Sequence, residues 1–226
     1  MRSAGAPPSE RARVKRNPQR AVYDRPAIDA ILGEGLICHV GFVSDGQPYV
    51  IPTIYAPMGG RLTIHGSAAS RMLRAAREEI PLCVTVTLLD GVVLARSAYH
   101  HSMNYRSVMI FGKAFEITER EEKLAAMRAL VEHVAPGRWA DVRPPSEDEF
   151  RATMVLALPI DEASAKVRTG PPIDDEDDYA MRVWAGVLPL SLDARAPVAD
   201  PRLPSDIAVP VYARFYRRAI FAGAAK

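Results

Sequence analysis

Short apolar runs separated by tight-turn dipeptides make up most of the first half of the chain. Asp45-Gly46 and Gly59-Gly60 separate three such runs, and Asp90-Gly91 separates two more. Asp-Gly and Gly-Gly supply the positive φ angles that tight hairpins require, and the flanking Val, Ile, Thr and Tyr suit a pleated sheet. A further β run, residues 107–117, follows. The pattern predicts an antiparallel meander of five or more strands, which a barrel closes so that few edges stay exposed.

Two helices are predicted to interrupt this meander. Residues Arg25 to Gly33 form the first, because their large apolar side chains share one side: Ile28, Ile31 and Leu32. Residues Ala68 to Glu78 form the second, and Ser67 stands before them as an N-cap.

The second half of the chain mixes helical and strand-like patterns. Glu119 to Val134 is predicted to be a helix that begins with a capping box of Thr118 and Glu121. Its apolar stripe consists of Leu124, Met127, Val131 and Val134. Ser146 with Glu149 predicts another capped helix, followed by the strand-like runs MVLALPI and SAKVRTG.

The remaining segments predict one domain with two appendages. Residues 1–15 read as a flexible basic arm, residues 16–190 as the folded domain, and residues 191–226 as a proline-rich extension. The basic start lacks the apolar core of a secretory signal, although a transit peptide stays open as an alternative to the arm.

Composition narrows the functional classes. With 226 residues, 29 Lys+Arg and 27 Asp+Glu, the chain has a net charge of +2, which does not favour nucleic-acid binding. No run approaches the ~20 apolar residues of a membrane-spanning helix. Cys38 and Cys83 both lie in apolar runs, which predicts reduced thiols in a cytoplasmic protein rather than a disulfide.

The segment LTIHGSAASRMLR, residues 62–74, is the first candidate site. A strand ends at His65, a glycine permits the turn, and Ser67 opens a helix with Ser70 and Arg71 in its first turn. Free N–H groups, the helix dipole, hydroxyls and a guanidinium suit a phosphate. An ordinary capped helix with an exposed arginine is the alternative.

The segment YHHSMNYRSVMIFGK, residues 99–113, is the second candidate site. Its polar side chains suit a heteroaromatic ligand, with a polar loop at the barrel rim as the alternative. No metal site is expected, because the adjacent His100 and His101 point to opposite faces of a strand. The acidic run 174–178 is expected to be a solvated loop, since consecutive carboxylates rarely converge on one ion.

Several motifs together resemble one family. They are KRNPQRAVYDR, YVIPTIY, LTIHGSAASRMLR, TLLDGVVLARSAYHHSMNYRSVMIFGKA, SAKVRTGPP and VWAGVLPL, spread from Arg16 to Leu190. The chain resembles the pyridoxamine 5'-phosphate oxidase-like flavoproteins with the FMN-binding split-barrel fold, in the flavin-nucleotide-binding branch that includes nitroimidazole-resistance proteins. The resemblance implies a mainly β, antiparallel, Greek-key-like split barrel of six strands, and a homodimer with two FMN molecules at the subunit interface.

The same resemblance implies a set of cofactor-binding residues. Ser67, Ser70 and Arg71 match the phosphate-binding turn, and Thr53 and Tyr55 fall on the strand that flanks the flavin. His65 matches a histidine of nitroimidazole-resistance proteins, and Trp184 matches a C-terminal tryptophan that approaches the cofactor. The segment expected near the isoalloxazine and ribityl chain is matched by Ser102, Asn104, Tyr105, Arg106 and Ser107. The basic pair and substrate-phosphate set of the oxidase itself are missing, so oxidation of vitamin B6 is not expected.

The sequence contains no recognisable nucleophile motif, so reactivity is expected to come from a cofactor. The resemblance implies an FMN-dependent oxidoreductase acting on a small organic molecule. The alternatives are a deazaflavin-dependent reductase and a non-catalytic flavin- or haem-binding protein. A haem needs an axial ligand, for which His65, His100 and His101 are the candidates.

Overall fold

The computed structural model describes residues 5–217. Its strands pair antiparallel in the order β1-β9-β6-β5-β2-β3-β4-β8-β7, and β10 adds to β5. The strands are β1 Ala21–Val22, β2 Ile37–Ser44, β3 Gln47–Met58, β4 Arg61–Ser67, β5 Pro81–Leu94, β6 Ser102–Lys113, β7 Phe115–Glu116, β8 Thr153–Pro159, β9 Glu162–Arg168 and β10 Gly186–Pro189.

Five α-helices lie among the described residues, and 3-10 turns accompany them. The helices are α1 Arg25–Glu34, α2 Arg71–Arg77, α3 Arg120–Val134, α4 Glu147–Ala152 and α5 Val211–Arg214; the 3-10 turns are Pro18–Arg20, Ala98–His100, Arg138–Asp141 and Glu176–Ala180. Most of this regular structure is strand, so the predicted mainly β, antiparallel class is confirmed.

Strand β3 connects the two halves of the barrel. Its first part, up to Ile54, pairs with β2, and its last part, from Tyr55, pairs with β4. The long strand thereby leaves one sheet and enters the other, and the two sheets enclose the core between them. This arrangement is the split barrel that the resemblance implied.

The first two hairpins follow the turn signals in the sequence. Asp45 and Gly46 have φ angles of 52° and 74°, and Gly59 and Gly60 have 56° and 79°. Both dipeptides therefore adopt the left-handed backbone of two-residue turns, as predicted.

The third predicted hairpin, at Asp90-Gly91, is wrong. Both residues lie inside the single strand β5, where the register against β6 shifts between Leu89 and Gly91. Gly91 faces Pro189 of β10, and a Cβ there would stand 3.0 Å from a methyl carbon of Val187. The glycine permits close approach of another strand rather than a turn.

The helices near the N-terminus follow the sequence in part. Helix α1 is confirmed: Asp24 caps it by accepting from the N–H of Ala27 at 3.3 Å, and the three predicted side chains are buried. Helix α2 begins later than predicted, with Ser70 as its N-cap. Ser67 instead ends β4, where its Oγ accepts from the N–H of Ala69 at 3.2 Å.

Helix α3 differs from its prediction in both its cap and its buried face. The N-cap is Glu119, whose carboxylate accepts from two backbone N–H groups, so the predicted Thr118–Glu121 box is wrong. Leu124 of the predicted stripe is exposed, and the buried positions are Lys123, Ala126 and Leu130. The predicted capping box of Ser146 and Glu149 is confirmed in α4.

The core lies between the sheet layers and beneath α1 and α2. Cys38 is fully buried in it, and burial raises the pKa of its thiol to about 12. Cys38 and Cys83 are both free thiols. Among residues 5–217, no helix has the length and apolar character needed to span a bilayer.

Both appendages contact the barrel where they are described. At the N-terminus, Arg11 pairs with Glu162 and lies 5.6 Å from the centre of the Phe111 ring. At the C-terminus, residues 191–210 form no helix or strand, and α5 follows. The Tyr216 hydroxyl donates to the carbonyl oxygen of Val134 at 2.7 Å, which attaches the tail to the end of α3.

Candidate functional site

A largely apolar cavity of about 590 Å³ lies between the sheet and α3. Its wall on the sheet side comes from β3 and β4, and its other wall comes from α3 and the segment that follows it. The apolar lining consists of Ile54, Met127, Leu130, Val131, Val134, Ala135, Trp139, Val142 and Pro145. Three residues of the predicted α3 stripe are among them, so that stripe faces the cavity rather than filling a packed core.

His65 brings an imidazole to this apolar wall. It lies on β4, and burial lowers the pKa of its ring. Its Nδ1 is buried and has no hydrogen-bond partner among the described residues. A buried nitrogen without a partner costs free energy. His65 is therefore a neutral imidazole in the wall of the cavity, and one of its ring nitrogens, Nδ1, is buried without a protein partner among the described residues.

Three charged side chains also line the cavity: Arg138, Arg143 and Glu149. Arg143 makes a two-bond ion pair with Glu149, both bonds 2.7 Å long. Arg138 donates to the Tyr212 hydroxyl at 2.8 Å, which brings the C-terminal segment to the cavity. The sequence analysis missed both arginines, because they follow α3 in an irregular segment without a motif.

The residues predicted to bind a phosphate lie at the end of β4 and the start of α2. Ser67, Ser70 and Arg71 follow one another there, and the N–H of Ser70 donates to the carbonyl oxygen of Ser67 at 2.9 Å. The Arg71 guanidinium donates to the Tyr49 hydroxyl at 2.8 Å and lies 5.1 Å from the centre of that ring. Tyr49 is thus a neighbour of the site that the sequence analysis did not name.

The second predicted segment, residues 99–113, is not a polar loop: it begins in the 3-10 turn Ala98–His100 and continues through the whole of β6. Asn104 is buried, donates to the carbonyl oxygen of Gly170 at 3.1 Å and accepts from Arg168. Ser107 donates weakly, at 3.4 Å, to the carbonyl oxygen of Lys166. Ser102 and Tyr105 are half-buried on the same strand, opposite Val93 and Leu89 of β5. The alternation of the strand explains the mixture of polar and apolar residues.

The Arg106 guanidinium forms ion pairs with two carboxylates of the protein. It donates to Asp90 through two bonds of 3.0 and 2.7 Å, and to both oxygens of Glu34. These contacts raise the pKa of Arg106 far above its ordinary value. Its predicted contact with the flavin therefore competes with two charge-assisted pairs.

Three other residues predicted to bind the cofactor differ in how exposed they are: Tyr55, Thr53 and Trp184. Tyr55 is completely buried, and its hydroxyl donates to the carbonyl oxygen of Leu32 at 2.7 Å. Thr53 is half-buried on β3, and Trp184 is 67% exposed in the segment before β10. Tyr55 thus packs in the core of the chain and presents no surface to a ligand.

The phosphate turn and the β6 segment lie at different places along the barrel. Arg71 stacks on Tyr49, and the part of β2 beside Tyr49 pairs with β5 near Cys83. The β6 segment, residues 102–107, lies opposite Thr87 to Val93. At ~3.3 Å per residue, those positions are about 13 to 33 Å further along β5. Within a single chain, the two halves of the predicted flavin site are therefore displaced from each other along the barrel.

The chain matches the family model described as pyridoxamine 5'-phosphate oxidase over residues 24–167. No curated protein matches it. The flavocytochrome Anf3 of Azotobacter vinelandii is 43% identical, with 92% of this chain and 97% of that chain covered and a TM-score of 0.87.

Two further structures are similar. A FAD- and haem-binding protein of Mycobacterium smegmatis is 37% identical, with 86% of this chain and 96% of that chain covered and a TM-score of 0.83. A candidate 5-nitroimidazole resistance protein of Bacteroides thetaiotaomicron is 26% identical, covering 65% of this chain and 86% of that one, with a TM-score of 0.55. With most of its barrel matched by the family model, the chain belongs to the pyridoxamine 5'-phosphate oxidase family.

Proposed function

We propose that this protein binds a flavin and a haem and works as an electron-transfer protein. The observation that carries the proposal is the apolar cavity with the neutral His65 imidazole in its wall, whose Nδ1 has no protein partner among the described residues. Two similar proteins point the same way, a flavocytochrome and a FAD- and haem-binding protein. The haem, an alternative to the flavin in the sequence analysis, here becomes a second cofactor.

The residues present fit a haem. A cavity of about 590 Å³ lined by aliphatic side chains and one indole suits a flat apolar macrocycle. A neutral histidine is the protein ligand that many haem irons use. His65 would hold the iron, and Arg138 and Arg143 offer guanidinium groups to the propionates. His100 and His101, the other candidate ligands, do not line this cavity.

The residues present also fit a flavin phosphate. Ser67, Ser70 and Arg71 present hydroxyls and a guanidinium at one exposed turn. The β6 segment lies further along the barrel and does not adjoin this turn within one chain. We therefore place the flavin between two copies of the chain, each copy supplying one half of the site.

A flavin exchanges one or two electrons and a haem exchanges one, and the protein supplies their placement. Burial of His65 keeps its imidazole neutral and available to a metal. The lining of the cavity is mostly apolar, and Arg138 and Arg143 add positive charge to its wall. No side chain among the described residues is assigned a catalytic role.

The haem proposal is tested by titrating the purified protein with haemin and following the Soret band. The wild type is expected to bind one haemin per protomer, and His65→Ala to lose tight binding. His39→Ala is the matched control, because His39 is exposed on the sheet and does not line the cavity. Equal haemin affinity in all three proteins would exclude His65 as the ligand.

The flavin proposal is tested separately, by fluorescence titration with FMN and with FAD. A charge-assisted bond to phosphate contributes about 1.5–3 kcal/mol, so Arg71→Ala should weaken binding roughly ten- to a hundredfold. Arg74→Ala, one turn further along α2, should leave the affinity unchanged. Flavin released from the purified protein identifies FMN, FAD or a deazaflavin by chromatography, and purified protein without any of the three would contradict the proposal.

A further inference from the structure

A cluster of three metal-ligating side chains lies outside the cavity and outside the phosphate turn. The cluster consists of His100, Asp175 and Asp178, whose ligand atoms all lie within 4.8 Å of one another. The closest pair joins the Nε2 of His100 to a carboxylate oxygen of Asp175 at 3.3 Å. The residues come from two segments more than seventy positions apart in the chain, so folding alone brings them together.

The 3-10 turn Glu176–Ala180 brings the two carboxylates to one side. Asp175 is the N-cap of this turn, and Asp178 lies three residues later. A 3-10 helix has about three residues per turn, so side chains at positions i and i+3 eclipse each other. The acidic run was expected not to converge on an ion, and the 3-10 turn makes two of its members converge.

A buried ion pair fixes the acidic segment against the turn that carries His100. The Asp174 side chain has no exposed surface and accepts from the backbone N–H and the guanidinium of Arg96, both at 2.9 Å. The acidic run was expected to be a solvated loop, but its first residue, Asp174, is buried. The Arg96 guanidinium also lies 4.7 Å from the centre of the Tyr179 ring. These contacts hold the cluster's two segments in place without using any of its ligand atoms.

The charge of the cluster is uncompensated. Within residues 5–217, neither Asp175 nor Asp178 forms an ion pair with an arginine or lysine. His100 is half-buried, with its ring edge-on to Tyr99 at 5.1 Å. Two carboxylates beside an imidazole form a ligand set whose negative charge a divalent cation neutralises.

We propose that His100, Asp175 and Asp178 bind one divalent transition-metal ion. An imidazole with two carboxylates is a mixed nitrogen and oxygen set, which suits Zn²⁺ and its neighbours better than the oxygen-only sets preferred by Mg²⁺. Three protein ligands leave the remaining coordination positions to water. The ion links the segment 174–180 to the 3-10 turn that precedes β6.

The test is calorimetric titration of the full chain with ZnCl₂, and with MgCl₂ in parallel. The wild type is expected to bind one Zn²⁺ per protomer at this site and to bind Mg²⁺ far more weakly. His100→Ala and Asp178→Asn should each weaken Zn²⁺ binding at least tenfold. Thermal unfolding without metal shows whether each variant is folded.

Two control variants distinguish Zn²⁺ ligation by these three side chains from nonspecific attraction of Zn²⁺ to the acidic run. His101→Ala removes the adjacent histidine, whose Nδ1 lies 2.9 Å from the carbonyl oxygen of Ser97 and which is not in the cluster. Asp177→Asn removes the same charge as Asp178→Asn from the same run. Both controls should bind Zn²⁺ like the wild type. Equal weakening by Asp177→Asn and Asp178→Asn, unchanged binding in His100→Ala, or no Zn²⁺ binding by the wild type would each overturn the proposal.

Discussion

At the scale of single residues, Arg106 lies between two carboxylates that have little access to water. The side chains of Arg106, Glu34 and Asp90 are 14%, 15% and 29% exposed. Glu34 ends α1 and Asp90 lies at the irregular position of β5, so the arginine links a helix to two strands. Removing one partner of such a pair leaves the others charged and desolvated, which costs more than the pair itself contributes.

We expect Arg106→Ala to lower the free energy of unfolding by about 2–3 kcal/mol, somewhat below the ~3–5 kcal/mol typical of fully buried pairs because Asp90 keeps some water. Urea denaturation measures the change. Arg120→Ala is the control, since Arg120 and Glu147 form an exposed pair and its loss should cost under about 1 kcal/mol. Equal losses of unfolding free energy in the two variants would show that the Arg106 ion pairs do not stabilise the fold more than an exposed pair does.

His65 makes stability depend on pH in a predictable direction. Burial lowers the pKa of its ring in the folded state, so the unfolded state binds more protons between the two pKa values. The free energy of unfolding should therefore fall as the pH drops below about 6.5, the ordinary pKa of histidine. Urea denaturation of the haem-free protein across this range should show a smaller fall in His65→Gln, and parallel profiles would contradict the assignment.

At the scale of elements, the pairing of β5 with β10 requires a residue without a side chain at position 91. A Cβ on Gly91 would lie 3.0 Å from Val187 and 3.1 Å from the carbonyl oxygen of Leu188. The second of these neighbours is backbone and cannot rotate away. A side chain at position 91 would therefore force β10 to shift away from β5.

We expect Gly91→Ala to destabilise the protein by about 1–3 kcal/mol through overpacking. Gly33→Ala is the matched control: Gly33 lies within α1, and a Cβ there meets nothing within 4 Å. That substitution should stabilise by roughly 0.5–1 kcal/mol, because alanine loses less backbone entropy in a helix. Thermal unfolding measures both, and a stabilising Gly91→Ala would contradict this reading of β10.

At the scale of the whole molecule, one face of the sheet carries exposed apolar side chains across neighbouring strands. Ile37 and Ile54 are paired across β2 and β3, and Val43 and Val50 lie further along the same face. They are exposed by 38% to 68%, and Ile54 also lines the cavity. Contiguous apolar surface of this kind favours an interface, and a second copy of the chain is the partner we propose.

We expect the protein to be a homodimer with twice the monomer mass of 24.8 kDa. Val50→Lys places a charge on this face and should shift the protein towards the monomer. Val198→Lys is the control, because Val198 is 96% exposed in the extension and outside the sheet. Light scattering at micromolar concentration measures the mass, and a monomeric wild type would contradict both the interface and the shared flavin site.

Local signals predicted the elements better than they predicted the contacts between elements. The Asp45-Gly46 turn and the Ser146 capping box were predicted correctly because each is decided within four residues. Gly91 was misread because a glycine that permits a turn and one that permits close strand contact look the same in sequence. The start of α2 was misplaced because Ser67 and Ser70 are both good N-caps.

The sequence by itself determined the antiparallel β class, the family motifs, helix α1 and the candidate phosphate turn, since these depend on local periodicity and on residues close together in the chain. Only the tertiary structure decided that the α3 stripe lines a cavity, that Arg106 is held by Glu34 and Asp90, and that His100 meets the acidic run. Each of these depends on strand order and on how the layers pack. Such contacts join residues far apart in sequence, and they stabilise the protein only after folding has brought those residues together.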